Sequence, residues 1–363
     1  MKYYSYDNID KQDATYNLII GQRANGKTYG ALKKIIDAYI DEQLPSAYIR
    51  RLDEQVKPKY IQNLFNPLLD HIQQRTNGRY NAIVYRSNSF FLAHIIHETQ
   101  IKDIQDKKPF CRTYSINTAE TSKGADAGEI KYIVFDEFIT RAFYIQNEFI
   151  LYQNLLSSII RNRSGVKIYM LANTVNKHCP YFRDMGLINI TKQKQGTIDI
   201  YRIGSTETKI AVEYCAESEL PPTVSQYFAF DNPELQMISR GAWEIALYRH
   251  PPKNCGDYPI LLSFFILFDN NTIQGDIYQY KGYPIIVYHP KTGDLKNIDR
   301  SIVYAQETFD GNPLHQIDIL YPGTAAHKLI LSLIRTQKTF YSDNETGEII
   351  ANWLKSQATG LDP

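Results

Sequence analysis

Apolar residues in this chain fall alternately into short continuous runs and into helically spaced stripes. Leu18 to Ile20 is a short run that enters a glycine-bounded loop, Gly21 to Gly26. Ala31, Leu32, Ile35, Ile36, Tyr39 and Ile40 then recur at helical spacing up to about Leu44, and Pro45 ends the helix. Ala47 to Ile49 reads as the next strand, residues 52–80 as polar and helical, and Ile83 to Tyr85 and Cys111 to Ile116 as strands. A polar loop, Thr121 to Glu129, leads to a buried-type strand, Tyr132 to Phe135. A helix, Phe149 to Arg163, and another buried strand, Val166 to Leu171, follow. Strands alternating with helices in this way predict a mostly parallel sheet covered by helices on both faces.

The pattern changes near residue 216. The stretch AESELPPTVSQYFAFDNPELQMISRG holds three prolines and little alternation, so it reads as a linker. Beyond Trp243 come close-set strands, Ile245–Tyr248, Ile260–Phe268, Gly275–Tyr280 and Ile285–Tyr288, and then two helices, Ala325–Arg335 and Glu348–Lys355. The expected organisation is therefore residues 1–215, a linker over 216–243, and a separate α+β domain over 244–363. A length of 363 residues suits this, since it exceeds one comfortable hydrophobic core.

Composition narrows the partners. Hydrophobic residues make up 43% and charged residues 22%, ordinary for a globular protein, and the net charge is +1. A protein that coats nucleic acid carries a basic excess, so any DNA contact here is local. The four cysteines are far apart in sequence with no CxxC pair, which argues against a zinc site or a disulfide framework. The polar N-terminus has no apolar stretch of a signal peptide. The most apolar run, Tyr258 to Phe268, is too short to span a bilayer, so a cytoplasmic protein without a membrane partner is expected. The 28 tyrosines are scattered without a stacking platform and read as strand formers.

The glycine loop carries the chemistry. Gly21-Gln22-Arg23-Ala24-Asn25-Gly26-Lys27-Thr28 fits G-x-x-x-x-G-K-[ST]. Its glycines let backbone N–H groups curl around phosphate oxygens at a helix N-terminus. Lys27 is expected to reach the β- and γ-phosphates, and Thr28 to ligate Mg²⁺. Asp136-Glu137 ends the strand Tyr132-Ile-Val-Phe as a Walker B pair, Asp136 for the metal and Glu137 to orient or deprotonate the attacking water. That pair favours hydrolysis over phosphotransfer. Arg161, in Arg161-Asn-Arg163, is either a transition-state arginine or a complement to the helix dipole. Asn173, just past a buried strand, is either a γ-phosphate or water contact or a satisfied strand-end amide. Arg50-Arg51 is either a phosphate sensor or a solvated rim. Lys107, Lys108, Arg112 and Lys123 cluster before the Walker B strand and would line a pore or simply face solvent.

These residues together resemble the genome-packaging ATPases of small tailed phages of the Picovirinae (Salasmaviridae) type. The landmarks are GQRANGKTYG, YIRR at Tyr48–Arg51, IVFDEFI at Ile133–Ile139, IIRNR at Ile159–Arg163 and LANTVNKHCPYF at Leu171–Phe182, over roughly the first 200 residues. The resemblance implies an α/β P-loop NTPase of the additional-strand, FtsK/HerA-like branch, followed by a small, degenerate RNase H-like domain. It implies a homomeric ring, a pentamer, docked on the portal of a prohead in the host cytoplasm and absent from the mature virion. Such rings drive double-stranded DNA inward with ATP and Mg²⁺, in relatives with a packaging RNA. Arg161 becomes the finger acting on a neighbour, and Lys123 and Arg163 become possible contacts to DNA or to a neighbouring subunit. One departure is that Leu52-Asp53-Glu54 stand where relatives carry a basic residue near the YIRR strand, the next base here being Lys57. In the C-terminal domain Asp257, Asp269 and Asp276 lie near the apolar strand. Turn chemistry in FDNNTIQGD accounts for Asp269 and Asp276 without a metal, so the domain is expected to grip nucleic acid or portal rather than to cut. Two competing readings are a cellular or plasmid translocase of the FtsK/HerA type and a nucleotide-gated interaction protein without turnover.

Overall fold

A computed structural model of the chain describes residues 4–96, 104–118, 129–140, 144–145, 147–173, 179–187, 189–206, 208–217, 248–268, 271–295, 298–305 and 312–358. The chain divides into two compact units, residues 1–141 with 145–244 and residues 142–144 with 245–363. Most of the expected linker, from residue 218 on, lies outside the described residues, as do Lys123 and Asp269.

The first unit opens with a short helix, α1 (Asp7–Asp10), then β1 (Tyr16–Gly21), α2 (Lys27–Glu42) and β2 (Ser46–Arg50). Two short helices, α3 (Pro58–Ile61) and α4 (Leu69–Arg75), precede β3 (Ala82–Arg86), β4 (Ser89–His94), β5 (Ile104–Gln105), β6 (Cys111–Ser115) and β7 (Tyr132–Asp136). Then come α5 (Glu148–Ile160), β8 (Lys167–Asn173), α6 (Pro180–Asp184), β9 (Thr197–Ile203) and β10 (Thr208–Tyr214). The sheet runs β3-β4-β6-β2-β7-β8-β1-β10-β9, with β5 beside β4. Its centre, from β6 to β10, is parallel. The antiparallel strands β3, β4 and β5 lie at one edge and β9 at the other.

β8 lies between the strand that feeds the glycine loop and the strand that ends in Asp136-Glu137. That is the inserted strand of the additional-strand branch. β1 and β7 are buried on both faces, which their unbroken apolar runs require of central parallel strands. The α2 stripe of Ala31, Leu32, Ile35, Ile36 and Tyr39 is buried, as its periodicity predicts.

Two parts of the expectation change. Residues 52–80 are broken short turns and helices, because Pro58 and Pro67 each restart the chain. A hairpin, β3–β4, turns at Ser87-Asn88, both at positive φ. Ser-Asn is a weak signal for such a turn beside Asn-Gly, so β4 was not foreseen.

The second unit contains β11 (Ile260–Phe268), β12 (Asn271–Tyr280), β13 (Tyr283–Pro290), β14 (Ile302–Ala305), β15 (His315–Gln316), α7 (Ala325–Arg335), β16 (Thr339–Tyr341) and α8 (Asn344–Ala358). Its sheet order is β15-β14-β11-β12-β13-β16. Three antiparallel strands continue on the β11 side into the parallel β14 and β15, the order an RNase H-like sheet requires. One face buries Phe264, Ile266, Ile277, Tyr288 and Tyr304 with Ile330 of α7 and Trp353 of α8. Asp276 corrects the expectation of a turn residue, since it sits inside β12, opposite Ser263 of β11. Its buried carboxylate accepts hydrogen bonds from Ser263 Oγ (2.6 Å) and Gln274 Nε2 (2.9 Å) and pairs with His289 Nε2 (2.9 Å). These partners hold Asp276 below the usual carboxylate range, although burial opposes them. Among the described residues no group of three or more His, Cys, Asp or Glu side chains is placed to hold a metal, and no helix is long and apolar enough to cross a membrane. All four cysteines, Cys111, Cys179, Cys215 and Cys255, are free and buried.

Candidate nucleotide site

The loop between β1 and α2 wraps a cavity of about 270 Å³, lined by Ala24 to Tyr29 of the loop and first helical turn, Asp136 at the end of β7 with Glu137 just past it, and Ala172 and Asn173 at the end of β8. Gly26, the N-cap of α2, holds φ at 90°, a conformation in which a side chain would be strained. Ala24 also takes positive φ, and Arg23 and Ala24 are exposed while Gln22 and Asn25 are buried. Asn173 pairs in register with Gly21, so the end of the inserted strand stands directly beside the start of the loop.

Lys27 folds back over its own loop. Its Nζ donates to Gln22 O (2.7 Å) and Asn25 Oδ1 (3.1 Å) and lies 3.4 Å from Gly21 O. These are neutral acceptors, and burial pushes the amine down to about 8. A phosphate anion would reverse that by favouring the charged amine. Above pH 8 binding must therefore take up a proton, while below pH 8 the amine is already charged. MgATP affinity should then be about tenfold weaker at pH 9 than at pH 7. Calorimetry in buffers of different ionisation enthalpy checks this, and equal proton uptake at both pH values would contradict it.

Asp136 is held through both of its oxygens. Its Oδ2 accepts from Tyr48 OH (2.8 Å), its Oδ1 from the Glu137 N–H (3.1 Å), and Thr28 Oγ1 lies 3.2 and 3.4 Å from its two oxygens. Burial raises its pKa, and the Arg50 guanidinium 3.8 Å away offsets this by favouring the charged form. The Thr28 hydroxyl and Asp136 carboxylate form a hard-oxygen pair at the loop mouth, the donor type that suits Mg²⁺ with its remaining waters. Glu137 leaves β7 at φ 61°, a strained angle for a non-glycine residue, and its Oε2 accepts from Arg50 Nη2 at 2.6 Å.

Arg50 and Arg51 therefore differ in role. Arg50 reaches the Asp136-Glu137 pair. Arg51 is neither sensor nor rim, being 7% exposed. Its Nε bonds both Glu148 oxygens (3.0 and 2.9 Å), and its Nη1 and Nη2 hold Glu137 O (3.1 Å) and Phe138 O (2.7 Å). Glu148 also accepts from Tyr181 OH and the Ile145 N–H, each at 2.8 Å. This network fixes the strained turn that aims Glu137. Breaking a buried ion pair strands the other charge, so Arg51→Ala should cost about 3–5 kcal/mol in denaturant unfolding of the full chain. Arg51→Met with Glu148→Leu should recover only part, since Tyr181 and Ile145 lose their acceptor. An undiminished midpoint for the single variant would refute the role.

Sequence reasoning missed Tyr48 and Glu148. Tyr48 was legible only through strand order, since β2 lies beside β7. Arg161 caps the end of α5 at φ 50° and ψ −126°, is exposed, and does not line the cavity of its own chain. Arg163 is half-buried, with Nη1 donating to Ile159 O (3.1 Å). Lys107 and Lys108 are exposed on the turn before β6, whereas Arg112 is half-buried within it.

The sequence profile described as Podovirus DNA encapsidation protein (Gp16) matches residues 1–217. The DNA packaging protein of Bacillus phage B103 is 28% identical over 190 residues, 51% of this chain and 50% of that protein. That of Bacillus phage PZA is 24% identical over 189 residues, 51% of each chain. The chain thus matches about half the length of these curated relatives. A structure titled the bacteriophage Phi-29 viral genome packaging motor assembly is similar with a TM-score of 0.59 at 18% identity, over 98% of this chain and 99% of that one. At that identity the likeness establishes the fold.

Proposed function

The chain belongs to the Podovirus DNA encapsidation protein (Gp16) family, and from that premise we propose that it is an ATP-hydrolysing motor subunit that moves double-stranded viral DNA into a prohead. The observation that carries the reading is the convergence of Lys27, Thr28, Asp136 and Glu137 on one cavity at the mouth of the glycine loop. Lys27 and the loop N–H groups bind the phosphates. The Thr28 hydroxyl and the Asp136 carboxylate hold Mg²⁺, which when bound neutralises charge on the phosphoryl oxygens. Glu137 orients the attacking water and takes its proton, and Asn173, beside Gly21, contacts the water or the terminal phosphate.

The working form is a homomeric ring, a pentamer, seated on the portal of the assembling prohead in the host cytoplasm, with a packaging RNA as a structural partner. Arg161 acts on the neighbour's nucleotide. This reading is supported by its exposure, its strained backbone and its separation from its own cavity. Arg163 and Lys123 are the further candidates for contact with a neighbour or with DNA, and residues 244–363 grip nucleic acid or portal without cutting.

The test is steady-state phosphate release with and without double-stranded DNA and proheads. Turnover that DNA stimulates severalfold is expected. ATP binding without phosphate release under all these conditions would sink the motor reading and favour a nucleotide-gated interaction protein.

A further inference from the structure

The phosphate loop is held from behind by the residues that precede β1. The Tyr4 N–H donates to Asn25 O at 2.9 Å, and Tyr6 OH donates to Lys27 O at 2.8 Å. These two carbonyls flank Gly26, the left-handed residue of the loop. The segment is itself anchored. Tyr4 OH donates to Glu213 Oε2 of β10 at 2.5 Å. Asp10 of α1 takes Lys34 Nζ of α2 at 2.5 Å and Tyr169 OH of β8 at 2.7 Å. The Lys34 amine sits 5.3–5.5 Å from the ring centres of Tyr6, Tyr132 and Tyr169. Tyr6 packs on the first turn of α2 at Gly30, where a Cβ would lie 2.7 Å from its ring. The site therefore has a second layer built from loop, helix and two strands.

We infer that Tyr4 to Asp10 form a brace that aims the loop's N–H groups at phosphate, with Tyr6 as a positioning residue for nucleotide binding. The reason is the planar trans peptide, in which C=O and N–H point in opposite directions. A donor that fixes Asn25 O on one side turns the Gly26 N–H to the other, and a donor that fixes Lys27 O does the same for the Thr28 N–H. Gly26 and Thr28 both line the cavity. The brace thus sets the direction of two phosphate donors before nucleotide arrives, and binding then orders less of the loop. The inference rests on the proposed nucleotide site.

The experiment is MgADP and MgATP binding to the full chain, wild type against Tyr6→Phe, which removes the hydroxyl and keeps the ring. The variant should lose about fivefold in affinity, the worth of one ordinary hydrogen bond. Its KM for ATP should rise by more than its kcat falls, and amide exchange of residues 24–28 should speed up in the nucleotide-free chain. Tyr80→Phe, which removes a hydroxyl bonded to Asp106 outside the site, is the control for a general loss of stability. Affinity of Tyr6→Phe equal to wild type overturns the brace. So does an affinity loss that Tyr80→Phe matches at equal thermal stability. If the wild-type chain binds neither nucleotide, the site itself is misassigned, which is a separate failure.

Discussion

Glu137→Gln should cut steady-state phosphate release by about 10²–10⁴-fold while ATP still binds, the usual worth of a positioned general base. The substitution keeps the shape of the side chain and one oxygen able to accept from Arg50, and removes the charge and basicity. The backbone should not move, because the turn is held by Arg51 through Glu137 O and Phe138 O rather than by the Glu137 side chain. The proposed phosphate cradle, the loop and Lys27, is also untouched. The variant should therefore trap ATP, and a nucleotide pull-down beside a phosphate-release assay checks both halves. Retained turnover would move the base to another residue, and lost binding would mean that the pair with Arg50 (2.6 Å) holds the site open.

Arg161→Ala should reduce hydrolysis by about 10³–10⁵-fold in assembled rings, the range of a supplied arginine. In isolated subunits, where no neighbour offers the residue, it should change little. Mixing separates this from a structural effect. In a ring of head-to-tail interfaces, equal parts of Glu137→Gln and Arg161→Ala subunits leave about a quarter of the interfaces with both intact groups. Activity above that of either variant alone is expected. No recovery on mixing, or normal hydrolysis by Arg161→Ala rings, would place the arginine outside the reaction.

The parts of this site legible in the sequence were those set by local chain geometry. Gly21 to Thr28 must follow a strand and open a helix to cradle phosphate, and the β1 and α2 patterns place them there. Asp136-Glu137 must end a buried strand, and Tyr132 to Phe135 supply it. What escaped depends on neighbours across the sheet. Tyr48 meets Asp136 only because β2 lies beside β7. Arg51 meets Glu148 across 97 positions of sequence, a pairing that no local pattern announces. Asp276 misled for the same reason. Read along the chain it belongs to a run of turn residues, but across the sheet it faces Ser263 and bonds His289. The tyrosines also look scattered in sequence, yet Tyr6, Tyr132 and Tyr169 converge around Lys34.

The four buried thiols offer a practical handle. Burial pushes Cys215 up to about 12 and raises Cys111 and Cys255 as well, so these three are poorly ionised, Cys179 is buried too, and maleimides react with exposed thiolates. The folded chain can accept dyes at introduced cysteines without first being stripped of its own. Asn154, exposed on α5, and Tyr283, exposed on the second unit's hairpin, are suitable positions. A donor at Asn154→Cys and an acceptor at Tyr283→Cys would report the distance between the two units, one molecule at a time, with and without added MgATP.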